Sequence, residues 1–286
     1  MKNIKKITLA LLALCVFVPF VASAHQPRIP VGNDTTVPDP EISKAYYGEL
    51  RGEPQIYNIS SSVPFALYVN ILVPDTTFQK KDVSLSLFKK GNPDELLATF
   101  DEKNNNWKKF FEPFGHDTYW MGAEYKAKAE AGDYQVKVWS TNNDSKYSLA
   151  IGEAEKFDLK ETVNAINLIP KIKRDFFNES PISFILSPFG IGYILLMYLF
   201  AFIFGFVFRF ILRKLPVKVS NIVGHKNIGK YDRLIRAVIG LAWLLWAITT
   251  LWNPILLFLS GFMFFQSIFS WCIVYQLMGK NTCPIE

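Results

Sequence analysis

Between Ala237 and Gly279 the chain runs for 43 residues without a charged side chain. Only a lipid-facing segment omits charge for so long. A second charge-free run, Pro181–Phe208, lies upstream, and the basic stretch Arg209–Arg236 separates the two. Such a chain has to divide itself between bilayer and water. Residues 25–180 have the mixed polarity of a soluble domain, so the division falls near Pro181.

The first 24 residues read as a secretory signal peptide. Lys2, Lys5 and Lys6 form a positive start, Ile7–Val21 an apolar core, and Ala22-Ser23-Ala24 a small-residue site that predicts cleavage before His25. An uncleaved anchor helix is the alternative, although the apolar core is short for one. Cys15 lies inside this core. The soluble region 25–180 has no cysteine, so its own core must stabilise it without disulfides, and a region of this length can bury one.

Net charge divides the same way. Residues 25–180 carry 19 basic and 23 acidic side chains, whereas residues 181–286 carry 9 basic and 2 acidic. The overall +6 therefore reflects membrane topology, and no nucleic-acid partner is expected. Arg209, Arg213, Lys214, Lys218, Lys226, Lys230, Arg233 and Arg236 crowd one short connection, while the turn Trp252-Asn253-Pro254 carries no charge. The positive-inside rule then predicts a cytoplasmic basic loop, an outward-facing turn and a cytoplasmic C-terminus. An exported N-terminal domain agrees with this orientation.

The expected fold class is a multi-domain membrane protein: an exported antiparallel β-sandwich followed by three transmembrane α-helices. The expected segments are signal 1–24, sandwich 25–155, juxtamembrane helix 156–180, first span 181–212, basic loop 213–230 and a two-helix hairpin with a short tail, 231–286. The first span is placed at Ile182–Leu212 and the hairpin spans at Tyr231–Leu251 and Pro254–Met278. Period-two alternation marks strands at Ala66–Leu72, Val83–Leu87, Tyr134–Val138 and Tyr147–Ile151. Turn signals stand at Gly91-Asn92-Pro93, Gly132-Asp133 and Asn142–Ser145. About eight short strands with these breaks suit a sandwich, and the Pro-rich stretch His25–Pro40 is expected to lie extended. From Phe157 the period becomes helical, with Leu159, Val163, Ile166 and Ile169 in step. This predicts an amphipathic helix interrupted at Pro170, either lying at the membrane boundary or packed on the sandwich.

The C-terminal residues carry a family resemblance. Asn227-Ile228-Gly229-Lys230, Asp232, Arg233, Arg236 and Gly240, then Gly261, Cys272, Tyr275, Gly279 and Thr282-Cys283-Pro284, resemble a small two-helix bacterial membrane domain of unknown function. That domain is also found fused to an inner-membrane rhodanese. Ile273 departs from the proline that commonly follows the first cysteine there, and no rhodanese domain is present to carry sulfur transfer over. The resemblance implies membrane residence and association through helices, with no known activity. On physical grounds Asn227 is expected to cap a helix, Asp232 to pair with Arg233 or Arg236, and Gly240 and Gly261 to permit close helix approach. The soluble region resembles the β-sandwich modules at the C-terminus of secreted bacterial peptidases. Ala131–Val138, Tyr147–Ile151 and Gln55–Ile59 carry that likeness, which implies an accessory module without catalytic residues.

Three sets of residues are candidates for chemistry. A mature N-terminal His25, with His116, could form a copper site, although nothing in their spacing brings them together. Trp107, Phe111, His116, Tyr119 and Trp120, with Phe110, Phe114 and Tyr125, either fill the core or present an aromatic binding face for sugar or protein. Glu112, Asp117 and Glu124 could pair for acid–base work. No nucleophile elbow, phosphate loop or metalloprotease helix occurs, and an enzyme is not expected. Cys272 and Cys283 read as structural thiols, with a redox or sulfur-linked role as the alternative.

The expectation is thus a protein of the bacterial cell envelope, multi-pass in the cytoplasmic (inner) membrane. It would display a non-catalytic binding or scaffolding module that meets an envelope polysaccharide or protein partner. Its helices would sit in the lipid bilayer and could form a homo-oligomer, and no cofactor is expected.

Overall fold

The computed structural model describes residues 25–77, 79–101, 105–214 and 226–283. The signal segment, most of the basic loop and Pro284 lie outside these residues. Two compact units separate at Ser187/Pro188.

The first unit is a two-sheet sandwich with a helix. Its strands are β1 (Gln26–Arg28), β2 (Asp34–Val37), β3 (Lys44–Glu49), β4 (Gln55–Ser61), β5 (Phe65–Pro74), β6 (Ser84–Lys89), β7 (Glu95–Phe100), β8 (Lys108–Glu112), β9 (Asp117–Ala129), β10 (Gly132–Trp139) and β11 (Lys146–Ile151). One sheet runs β1-β3-β11-β5-β9-β8 and the other β2-β4-β10-β6-β7. Alternation accounts for the core. Val136 and Val138 face Leu87 and Leu85 across the β10–β6 ladder, and all four are fully buried. Between the sheets the Tyr57 and Tyr147 hydroxyls share a hydrogen bond of 2.9 Å, so two large buried side chains meet with their polar ends satisfied.

The sandwich is not wholly antiparallel. The stretch expected to lie extended supplies one edge strand to each sheet, β1 and β2, and these pair in parallel with β3 and β4. Gly132-Asp133, read as a turn, already belongs to β10, where Gly132 pairs with Ser61. The chain adopts φ +150 at Gly132, which glycine tolerates.

Helix α1 spans Leu159–Asp175. Asp158 caps it by accepting the Glu161 N–H at 2.8 Å. The helix continues through Pro170 rather than breaking there. It buries Ala165, Ile169 and Ile172, and Ile172, Phe176 and Phe177 pack with Leu72, Tyr119 and Ala150 of the six-stranded sheet. This is packing on the sandwich, one of the two readings of the segment. The two large apolar residues in its first turns, Leu159 and Val163, are exposed at 79% and 51%.

The second unit holds α2 (Pro188–Lys214), α3 (Lys230–Thr249), α4 (Pro254–Phe269) and α5 (Ile273–Leu277). The first span begins at Pro188, not Ile182, because Pro181–Leu186 forms a separate 3-10 turn capped by Ser180. Among the described residues one helix, Pro188–Leu212, is long and apolar enough to cross a membrane. At 1.5 Å per residue its 25 residues reach about 38 Å, beyond a hydrocarbon core of about 30 Å. The 16 residues of α4 reach only about 24 Å, so of the three spans expected one has the length and apolarity to cross among the described residues. The second hairpin helix was expected to run to Met278. It stops at Phe269, where Ser270 takes a left-handed φ of +53.

Candidate functional site

The cleft of the first unit encloses about 400 Å³. The segment after β1 (Ile29, Pro30, Gly32, Asn33), the end of β3 (Tyr47–Glu49) and the C-terminal turn of α1 (Lys171, Ile172, Asp175) line it, with Phe176, Arg51, Gln55 and Lys146. The Tyr47 and Phe176 rings meet edge to face at 5.2 Å. Lys146 spends its ammonium on the Asp175 and Phe176 carbonyls (2.6 and 3.2 Å) and on Asn178 Oδ1 (3.4 Å). Arg51 uses Nε and Nη2 on Glu49, and Arg174 pairs with Asp175. The sequence reading missed this cleft, because β1, β3 and α1 meet only in the folded chain.

Beside it lies a buried charge cluster. Lys173 is fully buried and donates to Asp117 Oδ1 and to the His116 carbonyl (3.3 Å), with Glu179 at 3.9 Å. Asp117 faces Glu112 across the last pair of the β8–β9 ladder. Glu112 accepts the Phe114 and Gly115 N–H groups at 2.7 and 2.6 Å. Burial pushes the Asp117 carboxyl up to about 7, against the pull of Lys173. Burial also raises Glu112, opposed first by the Gly115 and Phe114 N–H groups. Tyr119 donates to the Tyr47 hydroxyl at 3.3 Å, and burial raises both phenols. Glu112 and Asp117 therefore do come together, Asp117 on Lys173 at the buried side of α1 and Glu112 on the backbone of its own turn. Glu124 instead accepts from Tyr68 at 3.2 Å.

A pH dependence follows. The folded state holds Asp117 protonated up to about 7, whereas the unfolded chain releases that proton near the ordinary aspartate value of 3.8. The folded state thus binds more protons between about pH 4 and 7, and the associated stability is lost as pH rises through 7. Urea unfolding should show stability increasing as pH falls from 8 to 5, by at most about 1.4 kcal/mol per pH unit for one proton. Asp117→Asn should flatten the profile, and an unchanged slope in that variant would assign the effect elsewhere.

The aromatic candidates do not share one face. Alternation along β9 sends Tyr119 into the cluster under α1 and Trp120 to the opposite side, against the main core. Trp120 Nε1 donates to Asp75 at 2.9 Å, and the Lys81 ammonium lies 3.6 Å from the centroid of its ring. Trp107 is half-buried against the core, and its Nε1 has no hydrogen-bond partner among the described residues. Only Phe111 and His116 stand together and exposed, edge to face at 5.0 Å. The expected aromatic binding face is therefore divided between two packed sides of β9.

The two histidines also lie apart in the topology. His25 precedes β1 at one edge of the six-stranded sheet, and His116 stands in the β8–β9 turn at the other. His25 Nδ1 is taken by Ser43 Oγ, and burial holds its imidazole below the usual histidine value. Among the described residues no group of three or more His, Cys, Asp or Glu side chains could hold a metal ion.

In the second unit the motif residues form a structural clasp. Asn227 does not cap α3, since Gly229 occupies that position. Its amide brackets Cys272 instead, donating to the Cys272 carbonyl at 2.9 Å and accepting the Cys272 N–H at 2.8 Å. Thr282 returns to this corner, donating its N–H to the Asn227 carbonyl and accepting from Gly229 N–H at 3.0 Å. A Cβ on Gly229 would collide with the Thr282 carbonyl. Arg236 pairs with Asp232 at 3.1 Å, as expected, and also donates to Gln266 Oε1 at 2.6 Å. Arg233 donates to the Ser267 carbonyl at 2.7 Å. Arg236 and Lys280 each lie 5.0 Å from the Tyr275 ring centroid, and Gly279 takes φ +65 at the end of α5. A Cβ on Gly261 would lie 2.9 Å from Tyr198, and one on Gly240 would lie 3.3 Å from Phe264, so both glycines set close helix contacts. Cys272 is a buried thiol and Cys283 a half-buried one, both free.

No curated protein is similar enough to the chain to count as a relative. Three solved structures share a low-level likeness. The pre-peptidase C-terminal domain of a collagenase from Bacillus anthracis has 8% identity over 45% of this chain and 95% of that one, with a TM-score of 0.24. CorA, a surface-associated copper-binding protein of Methylomicrobium album BG8, has 8% identity over 45% and 100%, with a TM-score of 0.24. A β-glucosidase from Paenibacillus barengoltzii has 11% identity over 44% and 13%, with a TM-score of 0.22. At these scores none of the three carries a functional argument. The membrane end is different: residues 225–286 match the family described as the transmembrane domain of YgaP-like inner membrane proteins, so the chain is an inner-membrane protein whose last fifth is similar to that domain and whose N-terminal region is a β-sandwich.

Proposed function

We propose that the chain displays its sandwich on the outer face of the cytoplasmic membrane as a non-catalytic module that binds an envelope polymer or protein. The observation that carries this reading is the cleft beside α1. Its volume of about 400 Å³, its apolar floor and its charged rim have the character of a binding site. Asp117, one of the carboxylates that could have served acid–base chemistry, is buried against Lys173, which favours binding over catalysis. The basic residues between the helices favour a cytoplasmic loop and hence an exported sandwich. The hairpin and its clasp would then anchor the module, crossing the bilayer with α2 as three spans.

The test is retention of fractionated envelope polysaccharide and envelope protein by the full-length protein in nanodiscs. Arg51→Glu/Lys171→Glu would run beside it, since both side chains are exposed at the cleft. Retention by the parent and at least tenfold loss in the folded variant is expected. Retention of neither fraction, or equal retention by the variant, would reject the cleft as the binding site.

A further inference from the structure

The backbone of β3 carries unused hydrogen-bonding groups into this cleft. Leu50 donates its N–H to the Ser145 carbonyl at 2.9 Å, and Gln26 donates to the Ser43 carbonyl at 2.9 Å. Successive residues of a strand point their backbone groups to opposite sides. Even-numbered residues of β3 therefore serve β11, and odd-numbered ones face the line of β1. That line is short, because the β1–β3 pairing ends at Arg28↔Tyr46. Two residues on, where a parallel strand would next donate to the Tyr47 carbonyl, stands Pro30, which has no N–H. Gly32, at φ +71, then turns the chain away towards β2.

The Tyr47 carbonyl and both backbone groups of Glu49 are thus left beyond the end of β1. No hydrogen bond among the described residues reaches them. They lie where the cleft opens, since Tyr47, Gly48 and Glu49 all line it. Bare backbone groups recurring every second residue, about 6.8 Å apart, match the repeat of an extended peptide. The side chains around them select charge. Lys171 is exposed at the rim, where Asp175 feels its charge, and Arg51 places Nε and Nη2 on Glu49, leaving Nη1. The cleft's two carboxylates, Glu49 and Asp175, already have arginine partners. Ile172 and Phe176 supply an apolar floor.

We propose that the exposed edge of β3 is a strand-addition site. An extended segment of a partner protein, bearing an acidic side chain, continues the line of β1. Its backbone pairs with Tyr47 and Glu49, and its carboxylate meets Lys171 and Arg51. This deepens the binding reading above and rests on it, choosing a peptide over a glycan.

A phage-displayed library of random octapeptides, panned on the full-length protein in nanodiscs and in parallel on Arg51→Glu/Lys171→Glu, tests the site. The expected pool is enriched in Asp and Glu on the parent only. A synthetic peptide from that pool should bind the parent at least tenfold more tightly than the variant. It should also slow hydrogen exchange at the Glu49 amide. No enrichment over the variant, equal binding to both proteins, or unchanged exchange at Glu49 would each overturn the proposal. If envelope polysaccharide is retained while no peptide is enriched, strand addition fails and the binding module stands. If neither binds, both fail.

Discussion

At pH 8, where Asp117 is ionised, Lys173→Ala should lower the stability of the sandwich unit by about 3–5 kcal/mol, the range for removing one partner of a buried ion pair. Lys173 is fully buried, and Asp117, its partner, is 5% exposed. The variant loses the ammonium and the stem that carries it, leaving a space beneath α1 as well as a carboxylate without its cation. Lys173→Met keeps most of the stem volume and should cost less. In the double variant Asp117→Asn/Lys173→Met the two losses should not add, because the substituted groups are direct partners. Urea unfolding of the full-length protein in nanodiscs, followed by tryptophan fluorescence, gives all three values. A loss below about 0.5 kcal/mol in Lys173→Ala, the level of an ordinary surface substitution, would show that the pair does not hold the helix.

The second large effect is expected in the membrane unit. Asn227→Ala removes the one side chain that satisfies both the N–H and the carbonyl of buried Cys272. The Cys272 carbonyl also accepts the Gln276 N–H at 3.0 Å, so the Cys272 N–H is the group left unpaired, and about 1–3 kcal/mol is at stake. The local reading of that loss is chemical. Cys272 is 2% exposed in the intact clasp, and its thiol should react with a maleimide many times faster in Asn227→Ala. Cys283 is already half-buried and should keep its rate, which gives an internal reference. Equal reactivity of Cys272 in both proteins would mean that the corner is held by the backbone bonds to Ser270 and Thr282.

Much of the sandwich was legible because burial on one face imposes alternation. Three of the four strands read from period two fall within β5, β10 and β11, and the fourth, Val83–Leu87, starts one residue before β6. Some of the strands that escaped notice have a pattern set by something other than alternate burial. β1 and β2 are short, border prolines and lie at sheet edges, so His25–Pro40 showed only an extended character. α1 was found by its period but not by its contacts. Its most apolar early residues, Leu159 and Val163, are exposed, while the face that docks includes a lysine. Hydropathy cannot show that Lys173 is buried, because its partner Asp117 lies 56 residues away. The aromatic cluster stayed open between core and binding face for a related reason. Once Asp117–Ala129 is a strand, adjacent Tyr119 and Trp120 must point to opposite sides, and a single aromatic face is impossible. In the membrane unit the motif glycines were legible as close contacts. Gly205, whose Cβ would collide with Phe265, carried no such signal because it belongs to a helix outside the motif.

The order of strands has a consequence for how the chain becomes a protein. β10 lies between β4 and β6, and β11 lies between β3 and β5, so the last pair of strands made supplies an interior strand to both sheets. Until Ile151 has been synthesised, the earlier strands have gaps at their centres, and most of their apolar side chains have nothing to pack against. Half-built sheets with open edges invite wrong pairing and proteolysis. The ladders that close them join residues far apart in sequence, as in Tyr147 with Gly48 and Gln135 with Asn58. Such non-local closure is slow. A chain cut short before β10 should therefore behave as an unfolded polypeptide rather than as a smaller sandwich, and the nascent protein depends on whatever keeps it apart from its neighbours until the final hairpin arrives.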